Sequence, residues 1–245
     1  YDEIKIEVIK NKTDLITFNG KFGKEINITK NSVIKTMKLL RSKGFINKKV
    51  YYKILVNKKI PIFSGLGGGT SNAAFLIKNF IKSKISKKLM NLFVDRLGSD
   101  LRLFFFDQLF QKNLKTIIKY KKKFNLHFVI IFPNIKCSTK KIYSEVKNFS
   151  RPSKINFETI TYKPKFIESI KKDKNDLQFI SSKNYPVIKK IINYLSDQKG
   201  CLISRMTGSG SACYGMFKSQ KLAKLGLNSI KKKFPNYWGV VTKTI

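Results

Sequence analysis

A glycine-rich stretch, residues 61–74, constrains this chain more than any other feature. It reads PIFSGLGGGTSNAA, with four glycines in five positions ahead of an apolar pattern of helical period. Glycine has no Cβ atom, so the backbone N–H groups of such a turn can approach an anion closely. A helix that starts there directs its unsatisfied N–H groups and positive dipole end at the same point. The stretch therefore predicts an anion-binding turn, for which phosphate is a common ligand.

Two other phosphate-binding motifs do not fit this turn. A P-loop requires a lysine directly after its last glycine, and no lysine lies between Ile60 and Ile77. A dinucleotide-binding fingerprint requires Gly or Ala where Thr70 stands, and an acidic residue about 20 positions further on. The first acidic residue after the turn is Asp95, so this match is weak.

Strand and helix patterns alternate along the whole chain. Alternating or continuous apolar runs predict strands over residues 3–9, 51–56, 126–132, 212–217 and 238–242. Helical spacing and capping residues predict helices from Asn31 to about Arg41, after the glycine turn, from Ser86 to Gly98, from Pro186 to Leu195 and over 221–234. Strands and helices are thus mixed across the whole chain. The length allows one large domain or two small ones, and the plausible seams are the lysine-rich piece near 119–124 and the polar stretch 148–156.

The charge of the chain is strongly positive, at +37, from 51 Lys and Arg against 14 Asp and Glu. Such a field favours anionic partners, either nucleic acid or an anionic metabolite. The basic residues are mostly lysines spread along the chain, whereas a nucleic-acid surface more often shows one Arg-rich stripe. A basic nucleic-acid-binding protein therefore stays an alternative that the distribution of charge does not favour.

The three cysteines, Cys137, Cys201 and Cys213, form no CxxC pair, and the only histidine is His127. This argues against a zinc site or a disulfide framework and predicts a reducing, cytoplasmic environment. No apolar run approaches the ~20 residues of a membrane span, so we expect neither a membrane span nor a signal peptide. His127 lies in an apolar run and is interpreted as structural.

Residues 60–74 resemble the ATP-binding signature of the GHMP kinases, a superfamily of small-molecule kinases. Three further stretches agree with this resemblance in chain order: 97–105 (LGSDLRLFF), 175–178 (NDLQ) and 205–213 (RMTGSGSAC). The form GLGGG-[ST]-S-x-AA is most similar to the members of the superfamily that phosphorylate a cytidine diphosphate-linked methylerythritol. The resemblance thus implies a small-molecule substrate of that kind.

The resemblance also implies a fold, cofactors and site residues. The expected fold is the two-domain α+β GHMP kinase fold. It has a ribosomal protein S5 domain 2-like N-terminal, ATP-binding domain, expected over residues 1–120, and a ferredoxin-like C-terminal domain, expected over residues 121–245. ATP is the expected phosphoryl donor with Mg²⁺ as the neutralising ion, and Asp100 in the LGSD segment is the expected catalytic base. The residues expected to bind ATP are Pro61, Ile62, Phe63, Ser64, Gly65, Leu66, Gly67, Gly68, Gly69, Thr70, Ser71, Gly208, Ser209 and Gly210.

Several departures from the superfamily pattern accompany these matches. The A-K-[IL]-N-L strand with its lysine and the following G-x-H segment are not found, so we expect the chain to begin beyond them and to be less active than a longer version. Arg102 stands where the pattern has proline, and residues 111–119 show no GxGE-like turn. Another GHMP kinase, of the homoserine or mevalonate type, and a kinase relic that binds nucleotide but turns over poorly are the open alternatives within this class.

Overall fold

The computed structural model describes residues 1–114, 116–151, 153 and 155–245. These form two compact units, the first from residues 1–62 and 67–106 and the second from residues 63–66 and 107–245. Both units contain helices and strands, so the predicted α+β class is confirmed. The expected domain boundary between residues 120 and 121 stays a prediction.

The first unit contains three strands, three α-helices and two short 3₁₀ helices. In chain order these are β1 (Glu3–Ile9), β2 (Leu15–Asn19), a 3₁₀ helix (Gly23–Glu25), α1 (Ser32–Ser42), β3 (Tyr51–Asn57), α2 (Gly68–Phe80), α3 (Lys87–Leu97) and a 3₁₀ helix (Ser99–Phe105). The sheet has the order β1-β3-β2, in which β3 pairs antiparallel with β1 and parallel with β2.

Local sequence explains where the helices of the first unit begin. The side chains of Asn31 and Ser86 accept hydrogen bonds from backbone N–H groups three residues on, as predicted for N-caps of α1 and α3. The apolar faces of the three helices meet the sheet in one core of buried side chains, among them Met37, Leu40, Ile54, Leu76, Ile77, Phe93 and Leu101.

The second unit contains six strands and five α-helices. In chain order these are β4 (Leu109–Gln111), β5 (Ile117–Lys119), β6 (His127–Phe132), α4 (Thr139–Ser144), a 3₁₀ helix (Phe157–Thr159), α5 (Lys163–Lys172), α6 (Asp176–Asn184), α7 (Pro186–Ser196), β7 (Cys201–Met206), β8 (Cys213–Phe217), α8 (Gln220–Lys233) and β9 (Trp238–Lys243).

The main sheet of the second unit is antiparallel and has the order β7-β8-β6-β9. Counting only these strands and the two helices that pack on them, α7 and α8, the chain runs β-α-β-β-α-β, which is the ferredoxin-like arrangement. The apolar faces of α7 and α8 pack on this sheet, with Ile188, Ile191, Leu195 and Ile230 fully or almost fully buried. The ferredoxin-like C-terminal architecture is therefore present. None of the helices within the described residues is both long and apolar enough to span a membrane.

Candidate active site

The glycine turn ends at the N-terminus of helix α2. Gly67 adopts the left-handed conformation (φ 65°) at the N-cap position, and no side chain caps the helix there. The first-turn N–H groups of residues 68–70 have no partner within the helix, because an α-helix leaves its first N–H groups unpaired. The start of α2 therefore has the donors and the dipole orientation that an anion requires.

Two of the glycines are required by close packing. A Cβ atom on Gly65, whose φ is +75°, would lie 2.6 Å from the carbonyl oxygen of Thr207. A Cβ atom on Gly67 would lie 2.7 Å from the ring of Phe104. Real Cβ atoms do not come that close to other heavy atoms, so a larger residue would displace backbone at position 65 and either the turn or the Phe104 ring at position 67.

The second glycine loop, residues 207–211, meets the first one within the second unit. The backbone N–H of Ala212 donates to the carbonyl oxygen of Ser64 over 3.0 Å. The hydroxyl of Thr207 donates to the carbonyl oxygen of Gly65 over 3.1 Å. The structure thus brings residues 64–65 together with the TGSGS loop, although 142 positions separate Gly65 from Thr207.

The predicted ATP-binding residues differ in exposure. Phe63, Gly65, Gly69 and Gly208 are exposed, Ile62, Leu66, Gly67, Thr70 and Ser71 are half-buried, and Pro61, Ser64, Gly68, Ser209 and Gly210 are buried. The exposed ring of Phe63 has the ammonium of Lys136 5.8 Å from its centroid. Within the second loop, the hydroxyls of Ser209 and Thr139 are hydrogen-bonded at 2.8 Å.

Asp100 lies in the 3₁₀ helix Ser99–Phe105, and its side chain is exposed. The hydroxyl of Ser99 donates to Asp100 Oδ1 over 3.3 Å, and among the described residues no lysine or arginine forms an ion pair with Asp100. An exposed carboxylate of this kind is accessible to a substrate hydroxyl, as a general base must be.

Helix α2 connects the glycine turn to the segment that carries Asp100. The helix packs on residues 99–105, and Lys78 Nζ, near its C-terminus, donates to the carbonyl oxygen of Phe104 over 2.7 Å. Arg102, which replaces the expected proline, hydrogen-bonds to the side chain of Asn91 on α3. Helix α2 therefore begins at the predicted anion site and also packs on the segment that carries the predicted base.

A buried charged cluster beside the turn was not found by sequence reasoning. The ammonium of Lys58 is ion-paired with the carboxylate of Asp2, and both side chains are excluded from solvent (2% and 0% exposed). The same carboxylate accepts from the N–H groups of Lys59 and Ile60 at 2.9 Å and from Asn72 Nδ2 at 3.0 Å. Asp2 therefore joins the chain after β3 to the first turns of α2. No local pattern distinguishes Lys58 from Lys59, because the pairing spans 56 positions.

The described residues contain no group of three or more His, Cys, Asp or Glu side chains arranged to hold a metal ion. Cys137, Cys201 and Cys213 are free thiols in the structure.

Comparison with known proteins identifies the fold. The family model described as GHMP kinases C terminal matches residues 165–236. A solved 4-(cytidine 5'-diphospho)-2C-methyl-D-erythritol kinase superposes with a TM-score of 0.67 at 20% identity, covering 100% of this chain and 86% of that one. A homoserine kinase from Cytophaga hutchinsonii gives a TM-score of 0.72 at 19% identity, covering 100% and 85%. The predicted GHMP kinase fold is confirmed.

Sequence relatives define the family more narrowly. The 4-diphosphocytidyl-2-C-methyl-D-erythritol kinase of Pelagibacter ubique is 36% identical over 100% of this chain and 87% of its own length. The kinase of the same name from Wolbachia pipientis is 30% identical over 100% of this chain and 82% of its own length. The chain belongs to the 4-diphosphocytidyl-2-C-methyl-D-erythritol kinase family, an ATP-dependent family of small-molecule kinases, as its motifs predicted.

Proposed function

We propose that this chain transfers the γ-phosphoryl group of ATP to the 2-hydroxyl of 4-diphosphocytidyl-2-C-methyl-D-erythritol, a step of the methylerythritol phosphate pathway of isoprenoid biosynthesis. The observation that carries this proposal is the 36% identity, over the whole chain, to a kinase named for that substrate. The relatives reported above are all small-molecule kinases, which favours an enzyme over the nucleic-acid-binding alternative.

The reaction needs an acceptor oxygen in line with the γ-phosphorus and a group that takes the hydroxyl proton. The hydroxyl oxygen forms a bond to the γ-phosphorus while the bond from the γ-phosphorus to the β–γ bridging oxygen breaks, and ADP leaves. In our proposal the carboxylate of Asp100 accepts the hydroxyl proton. Its exposed position and lack of an ion-pair partner among the described residues support this role.

ATP phosphates are proposed to bind at residues 61–71 and 208–210. Supporting this assignment are the uncapped start of α2 and the small residues that leave the backbone N–H groups accessible. The turn contains no charged side chain, so backbone dipoles supply the local attraction. The positive field of the whole chain adds a longer-range attraction for an anionic nucleotide and an anionic acceptor.

A magnesium ion is the proposed neutralising partner of the triphosphate. Mg²⁺ in nucleotide sites is commonly held by substrate phosphates, water and only one or two carboxylates. The lack of a three-ligand cluster among the described residues fits such an arrangement and does not fit an all-protein cage. Bound there, Mg²⁺ would offset charge that develops on the phosphoryl oxygens. We place the reaction in the cytoplasm, which the free thiols support.

The proposal is tested by an acceptor comparison with the purified chain. ATP labelled at the γ-phosphoryl group and Mg²⁺ are incubated separately with 4-diphosphocytidyl-2-C-methyl-D-erythritol, homoserine and mevalonate, and each labelled product is separated by chromatography. We expect kcat/KM for the cytidine-linked acceptor to be at least about 100-fold higher than for the other two acceptors. This ratio corresponds to a difference of about 2.7 kcal/mol in activation free energy. Preferential labelling of homoserine or mevalonate, or no labelling of the cytidine-linked acceptor, would overturn the proposed substrate.

A further inference from the structure

Helix α6, which begins in the NDLQ motif, binds the second glycine loop through its side chains. Asn175 Nδ2 donates to the carbonyl oxygens of Met206 (3.0 Å) and Gly208 (2.8 Å). The other atom of the same amide, Oδ1, accepts from the backbone N–H of Leu177 over 3.0 Å and caps the helix. Asn175 Oδ1 is thus bonded to the first turn of α6, and Asn175 Nδ2 is bonded to the loop.

Two more side chains of the same helix contact the loop or the strand that leads into it. Gln178 Oε1 accepts from the backbone N–H of Met206, the last residue of β7, over 3.0 Å. The hydroxyl of Ser181, which is fully buried, donates to the carbonyl oxygen of Ser209 over 3.2 Å. Residues 175, 178 and 181 recur every three positions and therefore share one face at the N-terminal side of α6. These contacts give the NDLQ motif a structural role. Neither the proposed phosphate site nor the proposed base includes a residue of that motif.

The contact between Asn175 and Gly208 determines the direction of one particular N–H group. In a trans peptide the C=O and N–H bonds point in opposite directions. Because the Gly208 carbonyl points at Asn175, the N–H of Ser209, in the same peptide unit, points away from α6. Within the described part of the chain this N–H has no hydrogen-bond acceptor, whereas the N–H groups of Thr207 and Gly210 bond to Ala212 and Thr207.

We propose that Asn175 is a positioning residue for phosphoryl transfer, which orients the Ser209 N–H as a donor to a phosphoryl oxygen of the nucleotide. This inference rests on the proposed ATP site. Gly208, at φ +53°, places the loop in the conformation from which successive N–H groups form an anion-binding nest. Gln178 and Ser181 support the same loop but do not set the direction of the Ser209 N–H.

The test uses an Asn175→Ser variant of the chain. Serine keeps an oxygen that can cap α6 but is too short to donate to Gly208, so the cap survives and the loop contact is lost. Asn156→Ser is the matched control, because Asn156 likewise accepts from a backbone N–H two residues on, in a 3₁₀ helix of the same unit. Asn175→Asp is a third variant, which keeps the cap and shape but replaces the donor with a charged acceptor.

Isothermal titration with the ATP analogue adenylyl imidodiphosphate and Mg²⁺ gives the dissociation constant, and steady-state kinetics give KM for ATP and for the acceptor. Asn175→Ser is expected to raise the analogue dissociation constant and the KM for ATP about tenfold, the effect of one hydrogen bond to a charged group. Asn175→Asp should raise both further, and neither variant should change the acceptor KM. A merely structural role would lower the thermal midpoint and the active fraction without moving KM for ATP.

Two results overturn the inference: an unchanged analogue dissociation constant in Asn175→Ser, or an equal increase in Asn156→Ser. Failure of the wild-type chain to bind the analogue would overturn it as well. If the wild-type chain binds the analogue but does not phosphorylate the cytidine-linked acceptor, the proposed substrate fails. The inference about Asn175 is then still decided by the analogue dissociation constants.

Discussion

The ammonium of Lys58 and the carboxylate of Asp2 form an ion pair from which solvent is excluded, directly beside the start of helix α2. A Cβ atom on Gly68 would lie 3.4 Å from Lys58 Nζ, so the pair contacts the glycine turn itself. Buried charges require a partner because the interior solvates them poorly. This pair therefore couples the stability of the first unit to the geometry of the predicted phosphate site.

Removing one member of this pair should be strongly destabilising. Lys58→Met leaves the Asp2 carboxylate buried without its cation, and we expect the free energy of unfolding to fall by about 3–5 kcal/mol. Urea unfolding followed by circular dichroism measures the change. The matched control is Lys59→Met, whose partner Glu3 forms an exposed pair at 2.5 Å that solvent screens. Equal decreases in the free energy of unfolding in the two variants would contradict the prediction that breaking the buried pair costs more than breaking the exposed one.

The contact between the two glycine loops makes a second prediction. In Gly65→Ala the new Cβ atom meets the Thr207 carbonyl oxygen, and the left-handed backbone is also strained for alanine. We expect a loss of about 2–5 kcal/mol in stability and at least a tenfold rise in KM for ATP. Gly44→Ala is the control, because Gly44 has φ +77° but nothing within 4 Å of its Cβ position. It should lose only about 1–2 kcal/mol and keep its KM. A Gly65→Ala variant that behaves like the control would contradict the packing argument.

Two of the cysteines should be chemically protected in the folded chain. Burial raises the pKa of the Cys213 thiol to about 12 and that of Cys137 to about 11, so both stay protonated at pH 8. The thiolate is the reacting form, so iodoacetamide should leave both unmodified in buffer and alkylate both in urea, as mass spectrometry can follow. Cys201, which is half-buried, is the internal comparison and should react first. Rapid labelling of Cys213 in the folded chain would refute the assigned burial.

Much of the fold follows from local sequence. The caps Asn31 and Ser86, the alternation of residues 3–9 and the apolar run that forms β6 were all predicted, because capping and periodicity are properties of neighbouring residues. Strand β2 was missed, since its five residues are too short to show a clear period.

The site could be predicted only in part. The anion turn and Asp100 were identifiable from residue type and motif, although their roles stay proposals. The Asp2–Lys58 pair and the contacts of α6 with the second glycine loop depend on chain segments that meet only after folding. The spacing of Asn175, Gln178 and Ser181 on one helical face was the one local signal that could have indicated a shared partner.

The central claim, that Asp100 acts as the base of a cytidine-linked methylerythritol kinase, is tested most directly by Asp100→Asn. Asparagine keeps the oxygen that accepts from Ser99 but cannot take a proton, and Asp95→Asn, at an exposed position on α3, is the matched control. Product formation at saturating ATP and acceptor should show kcat reduced about 10²–10⁴-fold in Asp100→Asn, with KM for ATP little changed and the control at wild-type rate. An Asp100→Asn chain that turns over near the wild-type rate would contradict the account.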